Sequence, residues 1–161
     1  MKKILLKVVT VIAAFCMLAS VSSCAGERVA AYTRNYDIYG IKATETLTFN
    51  AKGDIIYQIT ENIKLDLNSN LSDLSEEETT RIKDYFKTSI TDKFSEIEGI
   101  TYTDDLTDGI YTINAVIPAE KEILSAVAEK GLLEFTGTSS RLSLTITEKS
   151  LKENGYEKAE Q

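Results

Sequence analysis

The strongest constraint on the fold is a period-two pattern across residues 41–67. Ile41, Ala43, Leu47 and Phe49 fall on one face of an extended segment, and Lys42, Thr44, Thr46, Thr48 and Asn50 on the other. Ala51-Lys52-Gly53-Asp54 follows, with a glycine free to take positive φ. Alternation then resumes, with Tyr57, Ile59, Ile63, Leu65 and Leu67 against Gln58, Thr60, Asn62, Lys64 and Asp66. Successive strand side chains point to opposite faces, so two matched runs about a glycine turn predict an antiparallel hairpin with one wet face. A two-stranded hairpin is not stable alone, and its apolar face must be covered by other elements. A further strand is expected over residues 32–39.

The covering elements are also legible. Ser75-Glu76-Glu77-Glu78 fits a capping box with acids in the first helical turn. Ile82, Tyr85, Phe86, Ser89, Ile90, Phe94 and Ile97 then recur at helical spacing up to Gly99, so one long amphipathic helix is predicted. Residues 100–103 and 110–117 read as a second strand pair joined by the polar stretch 104–109. Pro118 suits the first position of a helix whose buried side would be Ile123, Leu124, Ala126 and Val127, with Gly131 as its stop. Residues 132–136 read as a short strand. Residues 142–146 alternate like a strand, yet Ser143 also suits the cap of a helix running to Asn154, with Leu144, Thr147 and Leu151 on one side and Gly155 as the stop. The sum is an α+β domain: an antiparallel sheet, with hairpins near 32–67 and 100–117, packed by two or three helices.

The first 23 residues carry a different pattern. Met1-Lys2-Lys3, with Lys7, precedes an apolar run over residues 8–19, and small residues follow up to Ser23. This is the three-part layout of a secretory signal, and its apolar stretch is too short for a comfortable permanent span. Val21-Ser22-Ser23-Cys24 resembles the bacterial lipobox, which predicts cleavage between Ser23 and Cys24 and lipidation of Cys24. Cys16 is rejected as the rival, because Phe15 stands where a small residue is required. The expected organisation is a signal peptide over 1–23, a lipidated cysteine with a short tether over 24–31, and one domain over 32–161. The partner this implies is a membrane, held through lipid on Cys24, with the domain on the extracytoplasmic face.

Charge and absences narrow function. The chain has net charge −7; a leader holding three of its 18 basic residues and none of its 25 acids would leave the remainder at −10. That acidity argues against nucleic acid, whose binding requires phosphate neutralisation. The chain has no His, and its two cysteines are Cys16, in the leader, and the lipidated Cys24. Zinc, copper and haem sites therefore lose their usual ligands, and nucleophiles paired with imidazole are excluded. No metal, cofactor or catalytic residue is expected. Residues 104–109 make a poor calcium loop, with Ala115 where a bidentate Glu belongs, and the run from Asp66 to Glu77 has Leu71 in place of the glycine the loop's bend requires. Tyr32, Tyr36 and Tyr39 suit a ligand groove, although tyrosine is equally an ordinary strand residue.

The order of these features resembles the YehR-like lipoproteins, a bacterial family of small lipoproteins without an established function. The residues that carry the resemblance are the lipobox cysteine, the Lys52-Gly53-Asp54 turn, Glu98-Gly99-Ile100-Thr101-Tyr102-Thr103-Asp104 after a helix, and the closing Leu151-Lys152-Glu153-Asn154-Gly155-Tyr156. Ser139-Ser140-Arg141 departs from the pattern. The resemblance implies an α+β domain, favours a helix over residues 144–154 and transfers no catalytic residue. The expected function is a non-enzymatic binding or accessory domain engaging a small ligand or an envelope protein. The alternative is an envelope hydrolase built on carboxylates or a Ser–Lys pair.

Overall fold

β1 (Glu27–Ile38), β2 (Ile41–Lys52) and β3 (Ile55–Asp66) form a long antiparallel meander in the computed structural model, which describes residues 26–38, 40–68, 75–133 and 141–159. β4 (Thr101–Thr107) and β5 (Ile110–Pro118) add a second hairpin, and the two-residue β6 (Glu157–Lys158) closes the far edge. The six-stranded order is β4-β5-β3-β2-β1-β6, antiparallel throughout. One face carries Ile41, Ala43, Leu47, Phe49, Ile59, Ile63, Leu65, Ile113 and Ile117, all buried. The opposite face carries threonine and asparagine, tied laterally by Thr33–Thr46 (3.0 Å) and Asn62–Asn114 (2.6 Å) hydrogen bonds. The expected α+β class and the hairpin around Gly53 are both observed.

The helical layer covers the apolar face. α1 (Glu76–Phe86) starts at the predicted capping box: the Ser75 hydroxyl accepts from the Glu78 amide at 3.3 Å, and the Ser75 amide donates to the Glu78 carboxylate at 2.9 Å. It runs into a π-helical turn (Lys87–Thr91) and then α2 (Asp92–Ser95). The wider turn rotates the buried stripe, so the predicted helical face is corrected. Phe86, Thr91, Phe94 and Ile97 are buried, whereas Tyr85, expected inside, is exposed. The helix ends before Gly99, whose φ of +92° instead turns the chain into β4.

Further corrections concern boundaries. Residues 27–31, expected in the tether, form the start of β1. The stretch 104–107 is strand rather than loop; the connection is only Asp108-Gly109, with φ of 51° and 73°, the two positive values a tight hairpin turn requires. Pro118 ends β5 instead of starting a helix, and α3 (Lys121–Glu129) begins after it. Tyr57, expected on the buried face, is exposed because a bulge opposite Ala51 leaves it as the extra residue while Ile56 turns inward. Leu132 and Leu133 are not strand, and residues 134–136 of that expectation lie outside the described residues.

α4 (Leu144–Glu153) confirms the helix reading of the last segment, with Ser143 accepting from the Ile146 amide at 3.2 Å. Its start is clamped by a distant turn. Asp54, in the β2–β3 connection, accepts from the Ser143 hydroxyl (2.5 Å) and from the Thr145 amide (2.9 Å) and hydroxyl (2.7 Å). α3 and α4 both end in a left-handed glycine, Gly131 and Gly155. In each, the amide of the following residue donates to a carbonyl five positions back, Leu132 to Val127 and Tyr156 to Leu151.

Candidate functional site

Among the charged side chains in phase with the apolar face, Arg34, Glu45 and Glu61 line one cavity. On β1, Arg34 lies opposite Glu45 of β2; on β3, Glu61 lies opposite Leu47. Strand alternation sends all three beneath the helices, where Glu45 and Glu61 are only 4% and 3% exposed. A buried charge is costly unless paired, so each needs its partners accounted for.

Glu45 is fully engaged. One carboxylate oxygen accepts from the Arg34 guanidinium at 2.8 Å and the other from the Tyr156 hydroxyl at 2.6 Å. The guanidinium also lies over two rings, 4.9 Å from the centre of Tyr36 and 4.5 Å from that of Tyr156. Tyr156 reaches this position because Gly155 (φ +80°) terminates α4 and folds the chain back onto the sheet. Burial, then the bond to Glu45, drives the Tyr156 hydroxyl far above its usual range; burial, then the Glu45 charge, raises Tyr36 to about 12. Both phenols stay neutral and serve as fixed dipoles and ring surfaces.

Glu61 is the exception. Its Oε2 has no hydrogen-bond partner among the described residues, and the only other buried side-chain atom in that condition is Nε of Arg34. Burial, and then repulsion from Glu45, pushes the Glu61 carboxyl well above the usual carboxylate range, with Arg34 opposing only in part.

These groups line one cavity of about 430 Å³ between the sheet and the helical layer. Leu47 and Ile63 supply apolar floor beside Glu61, and Leu151, Ser150 and Asn154 come from α4 and its cap. Ser89 and Ile90 come from the π-helical turn, and Leu132 and Leu133 from the exit of α3. The volume falls in the range of about 300–1,000 Å³ usual for small-molecule sites, and the mixture of apolar wall and few convergent polar groups is of the same kind.

Of the three tyrosines expected at a groove, Tyr36 lines this cavity. Tyr32 is core, packed edge-on to Phe49 at 6.5 Å between ring centres, and Tyr39 lies outside the described residues. Ser23 and Cys24 lie outside them too. Reading residue types alone missed Glu45, Glu61 and Arg34. The available signal was phase: Glu45 and Glu61 occupy positions where the alternation calls for an apolar side chain. Tyr156 had no such signal, because its role depends on where α4 ends in space. Among the described residues no helix is long and apolar enough to cross a membrane, and no group of three or more Asp, Glu, His or Cys is placed to hold a metal ion.

No protein-family model matches this chain, and no curated protein matches it. Two solved structures are similar in fold. The NMR structure of the E. coli YehR protein, a structural genomics target, aligns over 83% of this chain and 93% of its own at 15% identity, with a TM-score of 0.59. The NMR structure of a protein from Streptococcus pneumoniae TIGR4 aligns over 86% of this chain and 88% of its own at 10% identity, with a TM-score of 0.57. At these identities the similarity is one of fold, and the chain has a YehR-like fold.

Proposed function

We propose that this protein is a lipid-anchored, extracytoplasmic lipoprotein of a bacterial cell envelope that binds a small ligand in the cavity beneath its helices and performs no chemistry on it. The observation that carries the binding reading is Glu61: a buried carboxyl whose Oε2 has no hydrogen-bond partner among the described residues, in the wall of a cavity of ligand size. Leaving a buried polar group unsatisfied costs about 1–3 kcal/mol, and an aliphatic residue in phase with Leu47 and Ala115 would avoid that cost. A function for Glu61 accounts for its presence.

The anchoring half rests on the leader, the lipobox and Cys24. Two or three acyl chains on that cysteine, each buried methylene contributing about 0.8 kcal/mol, hold a protein stably. The spacing is compatible, since β1 starts at Glu27, three residues after Cys24. The test is metabolic labelling with an alkyne fatty acid in the native host, with intact-mass analysis of the purified protein. Label on wild type but not on Cys24→Ser, and a mass for a chain starting at acylated Cys24, support the reading; an unmodified chain retaining its leader overturns it.

A carboxylate hydrolase has one specific observation in its favour, the presence of Glu45 and Glu61 in one cavity. Acid–base catalysis requires both groups to reach the substrate. Both Glu45 oxygens are already held by Arg34 and Tyr156, so only Glu61 has an uncommitted oxygen among the described residues, and binding is the better account. No lysine is present among the described lining residues to make a Ser–Lys pair.

A further inference from the structure

We propose that the cavity takes a small molecule bearing a protonated primary amine, with the Glu61 carboxylate as its counter-ion. This rests on the reading of the cavity as a binding site and assigns the ligand's chemistry. The charges in the cavity do not balance internally. Arg34 is its one basic residue among the described lining; one Nη is committed to Glu45 and the guanidinium plane to the faces of Tyr36 and Tyr156, which leaves the buried Nε as its one donor recorded without a partner among the described residues. Glu45 has both oxygens occupied. The second carboxyl, Glu61, stands on the neighbouring strand, diagonal to Glu45, without a hydrogen-bond partner for its Oε2.

Each other ligand class meets an obstacle. An anion would find the single Nε donor of Arg34, whose charge Glu45 already offsets, and would face the Glu45 and Glu61 carboxyls as well. A multivalent metal ion needs several free oxygen ligands, and one uncommitted carboxyl does not supply them. An ammonium is a compact point charge with three donors and a modest demand for partners. One carboxylate is sufficient as its counter-ion, and hydroxyls such as Ser89 and Ser150 in the same wall can accept further bonds. Leu47, Ile63 and Leu151 offer apolar surface for the methylenes or ring attached to the amine. With no ligand, burial and the Glu45 charge keep the Glu61 carboxyl protonated well above the ordinary carboxylate range. An arriving ammonium replaces that proton, so the empty site holds no bare charge.

The experiment is a ¹⁵N–¹H NMR titration of the domain at pH 8 with three probes of matched size: n-butylammonium, n-butanol and butyrate. The expected result is saturable shifts for n-butylammonium at amides flanking Glu61, Ser89 and Leu132. Affinity for it should exceed that for n-butanol by at least about tenfold and should fall at least about tenfold in Glu61→Gln. Dispersion of the variant spectrum reports whether it folds. Should it not fold, Ser150→Trp, which fills the cavity from the α4 side, is expected to abolish the same shifts. Equal or tighter binding of n-butanol or butyrate, or unchanged n-butylammonium binding in Glu61→Gln, overturns the amine assignment and leaves a binding site in place. Absence of saturable shifts with all three probes overturns the binding reading and this inference together.

Discussion

At the residue scale, Glu61 and Tyr156 have opposite relations to stability. Folding raises the Glu61 pKa above its ordinary 4.5, so the folded chain binds that proton more tightly than the unfolded one. Its contribution is therefore fully present below about pH 4.5 and is lost as the pH climbs toward the raised value. Glu61→Leu should remove both this pH-dependent loss and the unsatisfied group, stabilising the domain by about 1–3 kcal/mol at pH 8 while ending its use as a counter-ion. Urea denaturation at pH 5 and pH 8 measures it; a variant less stable than wild type at pH 8 would contradict the account of Glu61. Tyr156→Phe should act the other way. It withdraws the hydroxyl from one oxygen of buried Glu45 and should destabilise by about 1–3 kcal/mol in the same experiment. Arg34 and the ring stacking should persist in that variant.

At the element scale, the decisive device is the clamp between the β2–β3 turn and α4. Asp54 accepts three hydrogen bonds from Ser143 and Thr145, which hold its carboxyl at about 2, and its backbone carbonyl accepts from the Leu144 amide at 2.8 Å. A depressed carboxyl stabilises above its unfolded pKa and loses that contribution as the pH falls toward about 2. Asp54→Ala should therefore loosen the first turn of α4 selectively. Hydrogen exchange at the Thr145 and Ile146 amides should accelerate while the amides of β2 and β5 stay protected. Uniform acceleration would mean that the clamp is part of global stability instead. At the other end of α4, Gly155→Ala places a side chain at φ +80° and should cost about 1 kcal/mol. It should also displace Tyr156, visible as a shift of its ring resonances.

At the scale of the whole molecule, the proposed acylation of Cys24 would have a defined relation to the cavity. The carbonyl of Gly26, two residues after Cys24, accepts from the Gly53 amide at 2.5 Å, which ties the start of the described chain to the tip of the β2–β3 hairpin. Cys24 acylation would therefore bring that tip, together with the first turn of α4, near the bilayer. Val29, Ile55, Tyr57 and Ile146, large apolar residues left exposed, belong to the segments beside this tip. The cavity is lined by the other end of α4, at Ser150, Leu151 and Asn154, and by Tyr156 beyond it. In nanodiscs carrying a paramagnetic headgroup lipid, the acylated protein should show strong relaxation at Gly53 and Ile146 and weak relaxation at Asn154. Equal broadening at both ends of α4 would contradict this orientation.

Particular residues show where sequence reading ends. The β2–β3 hairpin, the capping box at Ser75 and the glycine stops at Gly131 and Gly155 were legible because each follows from side-chain alternation, local hydrogen bonding or backbone freedom within a few residues. Tyr57 was misplaced and buried Thr91 was missed because a bulge and a π-helical turn each insert one residue, and one residue is enough to rotate a buried face. Glu45 and Glu61 were visible as breaks in phase, but their meaning was not. Whether a buried carboxylate is satisfied depends on Arg34, 11 positions from Glu45, and on Tyr156, 111 positions away. Local periodicity thus determined that an antiparallel sheet would lie under helices. Only the tertiary structure decided which charge would be neutralised there and which left over, because electrostatic pairing depends on distance in space rather than along the chain.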